Sequence, residues 1–218
     1  HFLQGVSCAV GFKRPDFHLT KALATELGLT TQRLLGNKRV WPGRACVDLV
    51  IDQLTPFLDP GDIIIDGGNS HFEDSIRRTK SLAARHLHFY GIGISGGAKG
   101  ARKGPALMPS GAKDIYPQIA PVLDRIAAKD AHDNPCSGWI GKAGSGHFVK
   151  MIHNGIEYGE MQLIAEIYHA LRFHANKTVE EIARLFETWQ ETDTASYLLG
   201  ISAKILQTKE GETPLIDL

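Results

Sequence analysis

The sequence predicts an α/β domain that extends to about residue 143, followed by the beginning of an all-helical domain. Up to that point short apolar runs alternate with amphipathic stretches, whereas only helical patterns follow it. The clearest strand is Asp62-Ile-Ile-Ile-Asp66, whose unbroken apolar centre is typical of a strand buried on both faces of a parallel sheet. The clearest helix extends from about Gly144 to His174 without an internal proline.

The remaining elements follow from the same periodicities. Helices are predicted at about residues 19–27, 44–58, 72–86, 113–129, 178–190 and 196–207, and further strands at 87–94, 105–109 and 138–141. Residues 38–43 have the composition of a loop, with a Pro-Gly pair at their end. Thr178 and Glu181 have the spacing of a capping box. The segment 95–104 contains four glycines, two lysines and an arginine, so it is predicted to be a glycine-rich basic loop suited to an anion; a flexible connector has a similar composition.

Composition excludes several classes of function. The 218 residues fit one or two domains, and 43% hydrophobic with 22% charged residues is ordinary for a soluble protein. The formal net charge is zero, so nothing favours nucleic acid or a membrane surface as a partner. No apolar run approaches a membrane span, and no signal peptide is recognisable. The three cysteines form no CxxC pair, which favours reduced thiols in the cytoplasm over a disulfide framework or a zinc site.

Four polar side chains of the long helix recur at i, i+3, i+4 and i+7, which places them on one helix face. They are Lys150, His153, Asn154 and Glu157, with Tyr158 at the margin of the face. An amine, an imidazole, an amide and a carboxylate are groups suited to proton transfer on a polar substrate. A solvated face with a Lys–Glu pair would show the same spacing, but His and Asn are poor helix formers and need another reason to be there.

Glycines support the functional interpretation of this helix. Gly144 and Gly146 open it, and Gly155 and Gly159 interrupt it. Each interior glycine costs about 1 kcal/mol against alanine, so a ligand or another backbone is expected to come close.

A second candidate segment, residues 67–70 (Gly-Gly-Asn-Ser), follows the strongest strand at its carboxyl end, where open α/β sheets bind ligands. A simple tight turn would use the same residues.

Three segments resemble the 6-phosphogluconate dehydrogenase family. They are Asp62-Ile-Ile-Ile-Asp-Gly-Gly-Asn-Ser70, the segment from Ile94-Ser-Gly-Gly97 to Gly104-Pro-Ala-Leu-Met-Pro109, and Gly146-His-Phe-Val-Lys-Met-Ile-His-Asn-Gly-Ile-Glu-Tyr158. The resemblance extends from about residue 43 to the C-terminus. It implies that residues 1–143 are a partial Rossmann-like NADP-binding domain, divergent over 1–43, and that residues 144–218 begin the family's helical C-terminal domain.

The resemblance also implies an activity. Members of this family oxidise and decarboxylate 6-phosphogluconate to ribulose 5-phosphate and CO2, with reduction of NADP, in gluconate utilization and the pentose phosphate pathway. By the family pattern Lys150 is the general base on the C3 hydroxyl, and Glu157 is the acid that protonates the enediol. The implied substrate ligands are Asn69, Ser95, Gly96, Gly97, His153, Asn154 and Tyr158. Asn69 also lies beside the nicotinamide, no metal is required, and the intact family is expected to form a cytoplasmic homodimer.

The chain departs from the family pattern at both ends, so we expect a fragment, or a form truncated at both ends, with little or no activity of its own. No strand followed by a GxGxxG turn occurs in residues 1–43, and Val40-Trp-Pro42 stands where the family has Val-Lys-Ala. Two alternatives remain open. One is a non-catalytic remnant that binds a sugar acid or acts as an interaction surface, which a cofactor-binding assay would distinguish. The other is a dehydrogenase of a smaller β-hydroxy acid, which a substrate panel would distinguish.

Overall fold

A computed structural model describes residues 9–12 and 44–218. The chain divides into two compact units, His1–Ile152 and His153–Leu218. The predicted helix at 19–27 and the predicted loop at 38–43 lie outside the described residues. In the part that is described, the first unit is built around a sheet and the second unit is mainly helical, as the sequence predicts.

A mixed sheet of four strands is the framework of the first unit, as far as the structure describes it. The strands are in the order β1-β2-β3-β4; β2 and β3 are parallel, whereas the two outer pairs are antiparallel. Ile64 lies opposite Phe89, and Ile92 lies opposite Pro109. The elements, in chain order, are β1 (Ala9–Phe12), α1 (Arg44–Leu54), a 3-10 turn (Thr55–Phe57), β2 (Ile63–Asp66), α2 (Phe72–Ala83), β3 (His88–Ser95), α3 (Gly97–Lys103), β4 (Ala106–Ser110) and α4 (Tyr116–Ile126).

Both faces of the sheet carry a hydrophobic core, because successive side chains of a strand point to opposite faces. Ile63 and Ile65 of β2 join one cluster with Ile119 and Leu123 of α4. Ile64 joins another cluster, which also contains Val47, Leu82 and Phe89. All four residues of β2 are buried. The unbroken apolar run of this strand therefore reflects burial on both faces, as predicted.

Two predictions of local structure are wrong. The segment 95–104 is not an open loop, because residues Gly97–Lys103 form the short helix α3. The glycines provide its entry and exit, since Gly96 and Gly104 have φ angles of 138° and 118°, values that residues with a side chain rarely adopt. Residues 138–141 form no strand; an isolated bridge between Ser110 and Gly141 and the hydrogen bond from the Ile140 N–H to the Pro109 carbonyl at 2.8 Å join this stretch to β4.

The second unit is mainly helical. Helix α5 (Ser145–His169) begins in the first unit and continues into a π-type turn (Ala170–His174). It is followed by α6 (Val179–Trp189), α7 (Tyr197–Gln207), a small hairpin of β5 (Lys209–Glu210) and β6 (Thr213–Pro214), and a 3-10 turn (Leu215–Asp217). The apolar faces of α6 and α7 form one core, which includes Ile182, Phe186, Leu199, Ala203 and Leu206.

The predicted capping box at the start of α6 is confirmed. The Glu181 N–H donates to the Thr178 hydroxyl at 3.2 Å, and the Thr178 N–H donates to the Glu181 carboxylate at 2.8 Å. These two bonds satisfy N–H groups that have no partner inside a helix. Ser196 begins α7 in the same manner, because its hydroxyl accepts the Leu199 N–H at 3.0 Å.

Candidate functional site

The turn after β2 holds its backbone rigidly and leaves one side chain at the surface. The buried carboxylate of Asp66 accepts the Gly68 N–H at 3.0 Å and the Ser70 hydroxyl at 2.6 Å. Asn69 stands between these two anchored residues, and it is exposed. The turn therefore fixes the main chain on both sides of a polar side chain that is available to a ligand.

Arg78 of α2 connects this turn to α1. Its guanidinium lies 3.4 Å from the Asp66 carboxylate and donates to the Ser70 hydroxyl at 3.1 Å. Its Nε donates to Asp48 at 2.8 Å, and Arg77 donates to the same carboxylate at 2.6 Å. Although partial burial opposes it, hydrogen bonds from Arg78 and Arg77 lower the pKa of Asp48. Because Arg78 and Asp66 are both buried, each compensates the charge of the other.

The segment Ser95–Gly97 follows β3, the parallel neighbour of β2. Asp66, the last residue of β2, lies opposite Gly91, and β3 continues for four residues beyond this pair. Since the carboxyl ends of parallel strands lie at one edge of a sheet, both segments are at the same edge. Ser95 is half-buried, and Gly96 and Gly97 are exposed.

Lys150 lies directly on β3. It is buried, and a Cβ added to Gly93 would stand 2.7 Å from the Lys150 Cβ and 2.7 Å from the carbonyl oxygen of Gly146. A Cβ added to Gly146 would collide with the Met108 carbonyl oxygen. The first turns of α5 can therefore approach the sheet only because both positions lack a side chain. The aliphatic stem of Lys150 therefore packs over Gly93, which lies two residues before Ser95 in β3.

The expectation that the helix glycines allow close approach is confirmed for the first two. In addition to Gly146, a Cβ at Gly144 would stand 2.8 Å from the Phe72 carbonyl oxygen. Gly155 and Gly159 have no atom within 4 Å of an added Cβ among the described residues. For these two positions the close approach of a ligand or another backbone stays a prediction.

His147 is a buried polar residue of this region that the sequence did not single out. Its Nδ1 lies 2.6 Å from the Ser75 hydroxyl of α2. Nε2 forms no hydrogen bond among the described residues, whereas the negative charge of Asp66 and the backbone of Asp66 and Gly68 favour a charged ring. Burial outweighs them and lowers the pKa of His147 below its usual 6.5. The ring is therefore neutral at pH 7.

The other predicted residues of α5 belong to the second unit. The His153 Nδ1 lies 3.2 Å from the Glu157 carboxylate, one helical turn away. Asn154 is half-buried and Tyr158 is exposed. The structure thus pairs His153 with Glu157, and it places Asn69, Ser95–Gly97 and Lys150 in the first unit.

Two further features are absent from the described ranges, 9–12 and 44–218. No group of three or more His, Cys, Asp or Glu side chains there is arranged to hold a metal ion. Likewise, none of the helices in those ranges is both long and apolar enough to cross a membrane.

Known proteins are similar to this chain over both units. The family model described as the NAD binding domain of 6-phosphogluconate dehydrogenase matches residues 41–141, and the one described as the 6-phosphogluconate dehydrogenase C-terminal domain matches residues 146–218. The decarboxylating 6-phosphogluconate dehydrogenase of Bacillus licheniformis is 53% identical over 174 residues, which are 79% of this chain and 37% of the relative. An enzyme of Bacillus subtilis, named as NAD(+)-dependent, is 51% identical with the same coverage.

A solved structure has the same fold. It is the Plasmodium falciparum 6-phosphogluconate dehydrogenase, described in its apo form and in complex with its cofactor NADP+ and its substrate 6-phosphogluconate. Its TM-score is 0.76 at 35% sequence identity, and the match covers 87% of this chain and 42% of that one.

These matches bear on the fold and on the alternatives. They show a Rossmann-like NAD(P)-binding domain followed by a helical C-terminal domain, as the sequence predicts. A dehydrogenase of a smaller hydroxy acid is not favoured, since relatives at about half identity carry the 6-phosphogluconate dehydrogenase name. The chain spans little more than a third of the length of the curated relatives it matches. Over residues 41–218, it belongs to the 6-phosphogluconate dehydrogenase family.

Proposed function

We propose that the chain takes part in the oxidative decarboxylation of 6-phosphogluconate to ribulose 5-phosphate and CO2. One observation carries this proposal: Lys150 is buried against Gly93 of β3, near the sheet edge where Asn69 and Ser95–Gly97 emerge. A base, an amide and exposed backbone groups following two parallel strands suit a polar, anionic sugar acid. The names of the relatives support this choice of substrate.

The residues divide the acid–base work. Lys150 accepts the proton of the C3 hydroxyl, a role that requires the neutral amine. The resulting 3-keto acid loses its carboxylate as CO2, the electron pair of the broken bond forms the C2–C3 double bond, and Lys150 returns its proton to the C3 oxygen to give an enediol. Glu157 then donates a proton to the carbon that CO2 has left, while the C3 hydroxyl gives its proton back to Lys150 and becomes the ketone of the product. The contact of the Glu157 carboxylate with the His153 ring, at 3.2 Å, fixes the orientation of this carboxyl group.

The proposed ligands of the substrate come from the same elements. The turn after β2 contributes Asn69, the segment after β3 contributes Ser95, Gly96 and Gly97, and α5 contributes His153, Asn154 and Tyr158. The exposed or half-exposed state of these residues is compatible with ligand contact. The boundary between the two domains is proposed at residues 143 and 144, directly before α5.

NADP is the proposed cofactor, and the turn after β2 suits it. The Gly68 and Ser70 anchors fix the backbone and leave Asn69 exposed at the carboxyl edge of the sheet, where this class of fold binds nucleotides. When bound, NADP accepts the hydride from C3 of the substrate. Asn69 would lie beside its nicotinamide. NAD is the competing cofactor, since the Bacillus subtilis relative is named for it.

Binding tests this function directly. Residues 1–218 are titrated by calorimetry with 6-phosphogluconate, NADP and NAD, and NADPH absorbance is followed after substrate and cofactor are mixed. Gluconate is the matched control, because it lacks only the phosphate. Saturable binding of 6-phosphogluconate, with weaker binding of gluconate, is expected. Equal binding of both sugars, or of neither, would overturn the proposal.

The assembly and compartment are proposed along with the function. A homodimer is expected from the family resemblance, and the cytoplasm is expected from three cysteines that form no CxxC pair. Light scattering during gel filtration distinguishes a dimer from the 23.9 kDa monomer. A monomer at all concentrations tested would contradict the proposed assembly.

A further inference from the structure

We propose that Ser70 is a positioning residue for Asn69, and that Arg78 supports it from α2. The inference rests on the proposed function in one respect, namely that Asn69 contacts the substrate. The structural part stands on the hydrogen bonds that surround one buried carboxylate, that of Asp66.

The Asp66 carboxylate closes the turn after β2 from the inside. Its Oδ1 accepts the Gly68 N–H at 3.0 Å, and its Oδ2 accepts the Ser70 hydroxyl at 2.6 Å. The first bond forms an Asx-turn, in which a side chain takes the place of a backbone acceptor. Asn69 is the single residue between the two bonded residues, so its backbone is tied on both sides to one side chain. The Ser70 hydroxyl therefore determines where the chain leaves Asn69.

Arg78 fixes the direction of the Ser70 hydrogen bond. Its Nη1 lies 3.1 Å from the Ser70 hydroxyl oxygen and 3.4 Å from Oδ2 of Asp66. Because a guanidinium can only donate, the hydroxyl oxygen accepts from Arg78, and the hydroxyl proton is left for Asp66. The Arg78 side chain is 2% exposed, and its Nε donates to Asp48 at 2.8 Å. Arg78 is thus closed to a ligand and acts by holding the turn.

The turn also lies against the end of β3. A Cβ added to Gly67 would stand 2.9 Å from Cδ1 of Ile94, the residue directly before Ser95. Two of the segments proposed to bind the substrate are therefore neighbours at this edge of the sheet. Since Asn69 and Ser95 are proposed to contact one ligand, a displaced Asn69 changes the spacing that the ligand must match.

Threonine and valine at position 70 separate the hydroxyl group from the shape of the side chain. The two are nearly isosteric, and only threonine can donate to Asp66 and accept from Arg78. Any strain from the extra methyl group is common to both. We expect Ser70→Val to weaken 6-phosphogluconate binding by residues 1–218 about tenfold, the effect of one ordinary hydrogen bond, and Ser70→Thr to remain within about threefold of wild type. Equal weakening in both variants would overturn the proposal.

A double-mutant cycle with Asn69→Ala tests whether Ser70 acts through Asn69. Once the Asn69 amide is gone, its position no longer matters, so Ser70→Val should change the dissociation constant by less than about twofold. A loss that stays tenfold in both backgrounds would mean that Ser70 supports the fold in general, and it would overturn the positioning role. Calorimetry recognises a partly unfolded variant by a lower stoichiometry at an unchanged dissociation constant.

A second measurement does not depend on the substrate. By ¹⁵N relaxation, the Asn69 backbone amide is expected to have an order parameter of about 0.85 in the wild type and in Ser70→Thr, and to fall towards about 0.6 in Ser70→Val. The amide of Ile64, in the middle of β2, is the internal control and should not change. An Asn69 amide that is equally rigid in Ser70→Val would overturn the inference. If the wild type binds no 6-phosphogluconate, the proposed function fails, while these order parameters still decide the role of Ser70.

Discussion

Gly93 lies directly beneath Lys150, since a methyl group on Gly93 would stand 2.7 Å from the Lys150 Cβ. The same methyl group would stand 2.7 Å from the Gly146 carbonyl oxygen, which is backbone and cannot turn away. We expect Gly93→Ala to destabilise the chain by about 1–3 kcal/mol through overpacking and to displace Lys150 from the strand. Urea unfolding measures the change.

Gly155→Ala is the matched control, on helix α5, whose first turns pack over Gly93. An added Cβ has no atom within 4 Å there, among the described residues, and the φ angle is not positive. Alanine should therefore stabilise the chain by about 0.5–1 kcal/mol, as expected inside a helix. The two substitutions thus have opposite signs. A stabilising Gly93→Ala would show that α5 does not press on β3.

Arg77 and Arg78 provide a second matched pair. Arg78 is buried and faces the buried Asp66 at 3.4 Å, whereas the Arg77 side chain is 53% exposed. Arg78→Met leaves a buried carboxylate without its cation, and we expect a loss of about 3–5 kcal/mol in the free energy of unfolding. Arg77→Met removes a surface ion pair and should cost about 1 kcal/mol or less. Similar losses for both would refute the role assigned to Arg78.

His147 makes stability depend on pH. Burial lowers its pKa in the folded chain below the usual 6.5, so below that pH the unfolded chain binds more protons. The free energy of unfolding should therefore fall as the pH drops from 6.5 towards the folded pKa, and it should be unaffected by this group above 6.5. The charges of Asp66 and Arg78, which face the ring, act in opposite directions.

His147→Gln serves as the reference for this pH dependence, because glutamine does not ionise. Urea unfolding of the wild type and the variant is compared between about pH 7.5 and pH 5. The difference between the two curves should grow as the pH falls. Curves that remain parallel over this window would mean that His147 does not titrate as its burial requires.

The sequence was sufficient where periodicity alone decides the structure. The apolar run of β2, the long helix α5 and the capping box of Thr178 and Glu181 each follow from local patterns, and the structure has all three. The short helix α3 was missed because its glycines and lysines resemble a loop. Its geometry depends on positive φ angles at Gly96 and Gly104, which spacing does not reveal.

The supporting residues of the site could not be found from the sequence, since tertiary contacts decide them. Arg77 and Arg78 are neighbours of identical type, and only the rotation of α2 against the sheet buries one and exposes the other. His147 is three residues before Lys150, so its spacing extends the polar face of α5 by one turn. The spacing of His147 was visible in the sequence, but its burial beside Ser75 depends on a contact between residues far apart in the chain.

Lys150→Met tests the proposed base in a chain extended to the length of the curated relatives, because little activity is expected of the 218 residues alone. Methionine matches the length of the lysine stem and fills the space over Gly93, so the fold should be retained while the amine is lost. A positioned general base contributes about 10²–10⁴-fold, and the rate of NADPH formation should fall by that factor. The exposed Lys142 gives the control substitution, Lys142→Met, with an unchanged rate. Near-normal turnover of Lys150→Met would remove Lys150 from the chemistry.

In the same extended chain, Glu157→Gln tests the proposed acid at a later step. Glutamine keeps the shape and can still contact His153, which lies 3.2 Å from the carboxylate, but it cannot donate a proton to carbon. Oxidation at C3 should therefore proceed, while deuterium from solvent should enter the ribulose 5-phosphate carbon vacated by CO2 about 10²–10⁴-fold more slowly. NMR of the product in deuterated water measures this rate. Glu166→Gln, an exposed change on the same helix, should leave it unchanged. If deuterium enters at the wild-type rate in Glu157→Gln, another group donates the proton, and the division of roles between Lys150 and Glu157 is wrong.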